Sequence, residues 1–197
     1  MHISDGVLSL ESTVVVSAIS LIALVKAVKE LKDEDISITA VASAMFFIAS
    51  FIHIPFGVTQ IHLILLGVIG ILISWSSFVA IFVALLLQAL LLGYGGIASL
   101  GVNLFVMAAP AVIVSYLYQT KFVQNLNDKI KYFLVGFTGT FFATVFLTVI
   151  LYFSKEEYEY AAFTIFSVNI ITMIIEGIVS MFLLLFIKKV YPKILKT

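Results

Sequence analysis

Apolar runs follow one another along this chain with almost no polar stretch long enough to form a soluble domain between them. A helix that crosses a bilayer needs about 20 mostly apolar residues. Seven stretches meet or approach that length: 12–28, 36–54, 61–74, 76–93, 97–119, 131–153 and 162–187. The third is short and carries no charge, so it reads as a tilted or partly re-entrant element, and a six-crossing alternative stays open. Hydrophobic residues make up 62% of the chain, the mean hydropathy is +1.21, and charged residues reach only 11%. Soluble domains carry about 25% charged residues. A soluble fold of 197 residues could not hide this much apolar surface, whereas lipid serves as its solvent. The expected fold class is therefore all-α: a polytopic membrane protein with about seven transmembrane helices, forming one transmembrane domain over 1–197.

Composition also excludes several functions. The net charge is zero, so no basic face points to nucleic acid. Cysteine is absent, which removes disulfides, thiolate metal sites and cysteine nucleophiles. No GxxxxGK[ST] phosphate loop occurs, so ATP hydrolysis by that route is excluded. The start has no positive region and carries Asp5 and Glu11, so no cleavable signal peptide is expected.

Lysine alone sets the expected orientation, since arginine is absent. With the N-terminus outside and seven crossings, Lys26, Lys29, Lys32, Lys121, Lys129, Lys131, Lys188, Lys189, Lys193 and Lys196 all fall inside. Only Lys155 falls outside, beside the acidic Glu156, Glu157 and Glu159. Ten of eleven lysines on the cytoplasmic side favour N-out, C-in.

The same topology puts all three histidines outside. His2 is at the N-terminus, and His53 and His62 flank the connection between the second and third spans. The turn Gly93-Tyr94-Gly95-Gly96 falls on that side too. A histidine at position 2 places an imidazole beside the α-amine and the first peptide nitrogen. The amine has a pKa of about 8 and the imidazole about 6.5, so both are available near neutral pH. If a metal displaces the amide proton, the amine, the amide nitrogen and imidazole Nδ1 form fused chelate rings in one plane. A fourth nitrogen from another histidine would complete a square-planar site. That geometry suits Ni(II) or Cu(II) and can hold Co(II). Zinc prefers tetrahedral ligands and calcium prefers oxygen. Read from the residues alone, His2 also fits an ordinary tail residue.

The N-terminal string Met1-His2-Ile3-Ser4-Asp5-Gly6-Val7-Leu8-Ser9 resembles MHIxDGxLS, the start of the cobalt/nickel substrate-binding components (CbiM/NikM family) of energy-coupling-factor transporters. A second block, Ile54-Pro55-Phe56-Gly57-Val58-Thr59-Gln60-Ile61-His62, stands where that family has F-P-V-x-G-T-S-G-H. The third runs from Gln88 to Asn103 and is similar to QALLFGDGGLTALGAN. Glu176-Gly177 forms a weaker fourth block. The resemblance implies that the N-terminal amine of Met1, the amide and imidazole of His2, and the imidazole of His62 hold the metal. Segment 1–9 would then be a metal-ligating arm. His53, Thr59, Gln60, Gln88 and Asn103 are candidates to orient those ligands through hydrogen bonds. Ser4 and Asp5 are candidates to pin the inserted arm through backbone N–H groups. Departures from the family pattern are Tyr94 for its acid, Ile61 for its glycine and His53 for its asparagine. Glu176 is an acid within a span, a functional candidate by default, with packing against polar groups of another helix as the alternative.

The resemblance implies a substrate-capture subunit of a metal importer in the prokaryotic inner membrane. It would bind Ni(II) or Co(II) as transported ligand, with no separate cofactor. Its partners would be a transmembrane coupling component, cytoplasmic ATPase subunits and a small accessory membrane subunit. Two rival classes are a membrane-embedded metalloenzyme and a structural membrane subunit. Against the enzyme, the chain has no HExxH and no outer carboxylate with general-base spacing to a histidine.

Overall fold

The computed structural model describes residues 3–56, 59–155 and 158–195. The long helices are α1 (Leu10–Glu30), α2 (Ile36–Ala49), α4 (Ser77–Leu92), α5 (Leu100–Tyr118), α7 (Asp128–Ser154) and α8 (Glu159–Val190). Between α2 and α4 lie two short strands, β1 (His53–Phe56) and β2 (Thr59–His62), and a short helix, α3 (Leu66–Ile73). A one-turn helix, α6 (Lys121–Gln124), links α5 to α7. Among the described residues, five stretches are long and apolar enough to cross a membrane: Leu10–Glu30, Leu66–Leu92, Leu100–Tyr118, Asp128–Ser154 and Phe163–Val190. Multi-pass helical architecture is thus as expected, with one antiparallel hairpin added to it.

The third span differs from its expected form. Only 66–73 is helical, and 59–62 is a strand. Eight helical residues rise about 12 Å, against a hydrocarbon core about 30 Å thick. The helix also breaks sharply from α4, because Ser74 takes φ 46°. Its N-terminal end meets Glu176, which lies about halfway along α8. So α3 is a short helix whose start lies beside the middle of α8, with an extended stretch before it. Such backbone is tolerated at membrane depth only inside protein. Here Leu63, Ile64 and Leu65 are all buried. Every residue of α3 is also buried except Leu72.

Small residues let the half-helix sit that deep. A Cβ at Gly67 would collide with the carbonyl of Val135 on α7, and one at Gly70 with the carbonyl of Ala111 on α5. Within lipid there is little hydrophobic drive between helices, so such close backbone packing supplies the cohesion. Around it, Phe46, Ile64, Leu66, Ile69, Ile81, Leu104 and Met107 form one continuous buried cluster.

The two ends of the bundle differ chemically. At one end, Lys26 Nζ lies 3.6 Å from the centre of the Trp75 ring, and Trp75 Nε1 donates to Tyr116 Oη at 2.8 Å. At that same end Asp128 pairs with Lys131 at 3.3 Å and Lys188 at 2.6 Å. Gln124 Nε2 donates to the Tyr118 carbonyl at 2.6 Å, which joins the two groups. The opposite end carries the N-terminal arm, the β-hairpin and the turn before α5.

Candidate metal-binding site

The arm 3–9 crosses the N-terminal end of α5 and is held there at several points. Asn103, buried in the first turn of α5, clasps the Ile3 peptide groups from both sides. The Ile3 N–H donates to Asn103 Oδ1 at 2.8 Å, and Asn103 Nδ2 donates to the Ile3 carbonyl at 2.9 Å. Two residues on, the Asp5 N–H donates to the Gly95 carbonyl at 3.1 Å. The Asp5 carboxylate accepts the Ser99 N–H at 2.8 Å and the Ala98 N–H at 3.4 Å. These are orphan donors at a helix start, where negative charge is favoured. Hydrogen bonds from Ser99, above all its backbone N–H, hold the Asp5 carboxyl below its ordinary value of 3.8. Gly96 has φ +130° and no room for a Cβ, which would strike the Asp5 carboxylate. Asp5 thus acts as expected, through backbone N–H groups.

Apolar contacts complete the docking of the arm. Ile3 and Leu8 are buried against Val102, Val106, Leu147 and Leu151. The Ser9 N–H donates to Ser154 Oγ at 2.6 Å, and Ser9 Oγ caps α1 by accepting the Ser12 N–H at 3.2 Å. Nothing in the sequence pointed to Ser154, whose partner lies 145 positions away. Met1 and His2 lie outside the described residues. Ile3, the next residue, is held by Asn103.

The hairpin approaches the same end. In its register His53 stands opposite His62, and Phe56 opposite Thr59. Thr59 and Gln60 open β2, and His62 closes it. The hairpin has two roots. At the first, Gln88 Nε2 donates to Ser50 Oγ at 2.9 Å, tying α4 to the chain just after α2. The Tyr94 N–H also donates to the Gln88 carbonyl, so this root adjoins the turn that binds Asp5. Gln88 therefore supports the hairpin, and Asn103 supports the arm.

At the second root stands Glu176, fully buried. Its carboxylate accepts the N–H groups of Ile64 and Leu65, the latter at 3.1 Å to Oε2. Leu65 takes φ 54° and precedes α3, so this carboxylate from another helix satisfies donors at the half-helix start. Among the described residues, no three histidine, cysteine or carboxylate side chains gather into a metal-binding group.

A bundle of long apolar helices, with its N-terminal arm docked across the start of α5, has the architecture of a multi-pass membrane protein. Comparison with known proteins makes the class specific. The family model described as cobalt uptake substrate-specific transmembrane region (CbiM) matches residues 2–194, and the chain belongs to that family. A protein of Haemophilus influenzae, provisionally named as a metal transport protein, is 31% identical over 99% of this chain and 97% of its own. The cobalt transport protein CbiM of Clostridium tetani is 37% identical over 56% of this chain and 49% of its own. A fused nickel transport protein, NikMN, of Rhodobacter capsulatus is 31% identical over 58% of this chain and 35% of its own. The chain thus spans nearly all of the first relative but half or less of the other two. A solved truncated transition metal transporter superposes with a TM-score of 0.80 at 25% identity, covering 96% of this chain and 99% of that one. The family is one of metal uptake by multi-pass membrane proteins, not of enzymes.

Proposed function

We propose that this protein captures Ni(II) or Co(II) through four nitrogens: the Met1 amine, the His2 amide and imidazole, and the His62 imidazole. The observation that carries the reading is the double hydrogen bond between Asn103 and Ile3, at 2.8 and 2.9 Å. A buried amide side chain clasps the residue that follows His2, at the end of the bundle where the hairpin bears His62. The fused chelate rings need a free amine at position 1, and the arm is docked from Ile3 onward. In this reading Thr59 and Gln60 on β2, and His53, which pairs with His62 in the hairpin register, would orient the imidazole. The cobalt and nickel transport assigned to the relatives supports the choice of metals.

In this reading the arm faces outward and the lysine-rich end faces the cytoplasm of a prokaryotic inner membrane. Without a phosphate loop of its own, the chain depends on partner ATPases coupled through a second transmembrane component. The test is Ni(II) binding by purified protein with an authentic N-terminus. Tight binding with a planar-site absorption band is expected. One extra residue before Met1 displaces the amine and abolishes binding; equal binding by the extended protein would sink the proposed site. His62→Ala weakens binding more than His53→Ala, and the reverse order would reassign the fourth ligand.

A further inference from the structure

We propose that Glu176 is a positioning residue for the metal site: its carboxylate fixes the backbone corner at Ile64–Leu65, and through that corner it sets the place of His62. This rests on the reading of His62 as a ligand. An ionisable side chain at mid-membrane is costly, so one that persists there has work to do. Here the carboxylate accepts two N–H groups from a different element, those of Ile64 and Leu65.

The corner needs such a partner. Leu65 adopts φ 54°, a left-handed conformation that costs energy for any residue with a Cβ. It also turns an extended stretch directly into α3, whose first N–H groups have no partner within their own helix. Beyond the corner, α3 is immobilised by backbone contact at Gly67 and Gly70. Before the corner, the fully enclosed Leu63 and Ile64 leave only two residues between His62 and Leu65. Movement at the corner therefore passes to β2 with little slack. Since β1 and β2 pair with each other, the hairpin takes its tilt from its roots: Ser50, held by Gln88, and this corner, held by Glu176.

The carboxylate also suits the task better than an amide. Both its oxygens accept, and the Leu65 N–H lies within reach of each, at 3.3 and 3.1 Å. Glutamine offers one acceptor and turns an NH2 group toward a second N–H.

The test is a double-mutant cycle on the full chain with an authentic N-terminus, titrated with Ni(II) and followed by its ligand-field band. E176Q is expected to bind Ni(II) about 10-fold more weakly or worse, with a shifted or broadened band. In the H62A background, E176Q is expected to change affinity by no more than about twofold, because its effect runs through His62. An E176Q protein that binds like wild type overturns the proposal while leaving the site intact, provided H62A binds weakly. Equal fold-losses in both backgrounds also overturn it, since they signal general loosening. H62A that binds like wild type removes the site and the proposal together. Should E176Q fail to fold, L65V carries the test with Glu176 in place. A β-branched residue opposes the left-handed corner, so weakened Ni(II) binding with an altered band is expected, and unchanged binding overturns the proposal.

Discussion

Asp5 introduces a charge into the arm that must dock, and the tertiary structure answers it with N–H groups at the start of α5. The Ser99 N–H keeps the carboxyl below 3.8, so the native pKa lies under the unfolded one. Its contribution to stability is complete above that unfolded value and is lost as pH falls through the lower native one. Asp5→Asn is therefore expected to lower the thermal midpoint at pH 7. The gap to wild type should narrow below about pH 4, as the native carboxylate protonates. Coincident melts at pH 7 would show that the carboxylate does not hold the arm. Roles of this kind were partly legible. A polar pair in an otherwise apolar arm, Ser4-Asp5, suggested a backbone anchor, and Asn103 suggested support for the site. Glu176 was legible as an oddity but not as a partner of Ile64 and Leu65, 112 and 111 positions away.

At the scale of elements, α3 departs most from what hydropathy suggests. Residues of positive φ bracket it, Leu65 at φ 54° and Ser74 at φ 46°, each at a cost of about 1–3 kcal/mol. Surrounding packing must over-determine such a helix for it to persist. The contact of Gly67 with the Val135 carbonyl is part of that packing, and no rotamer change relieves it because the obstacle is backbone. Gly67→Ala is expected to destabilise the bundle by at least about 1–3 kcal/mol in a reversible melt, with α3 displaced. An unchanged melt would mean that α3 and α7 are not in such close contact. Hydropathy marked 61–74 as apolar and counted it as a span. It could not show that 59–62 pairs as a strand, because an apolar run does not reveal where its N–H groups find acceptors. The hairpin comes from pairing with a strand close by in sequence, which hydropathy does not register, and the half-helix start depends on a remote partner, Glu176.

Over the whole molecule, chemistry is segregated by end. Lys26, Lys131 and Lys188 meet aromatic and acidic partners at one end, while the arm and hairpin occupy the other. The absence of cysteine makes the orientation simple to test. In the proposed topology, Lys155→Cys reacts with an impermeant maleimide in intact cells, and Lys129→Cys reacts only after permeabilisation. The opposite pattern would invert the protein and the direction of metal capture. The sequence by itself determined that the chain is a helical membrane bundle, because apolar runs of that length have no other solvent. It also carried the motifs of the arm, the hairpin and the last helix in order, since each motif is a short local string. Tertiary structure alone decided how the third apolar run is built and how the arm is docked. Those outcomes depend on buried side chains, Asn103 and Glu176, satisfying backbone groups about a hundred residues away, and no local pattern records which distant donor a polar side chain will meet.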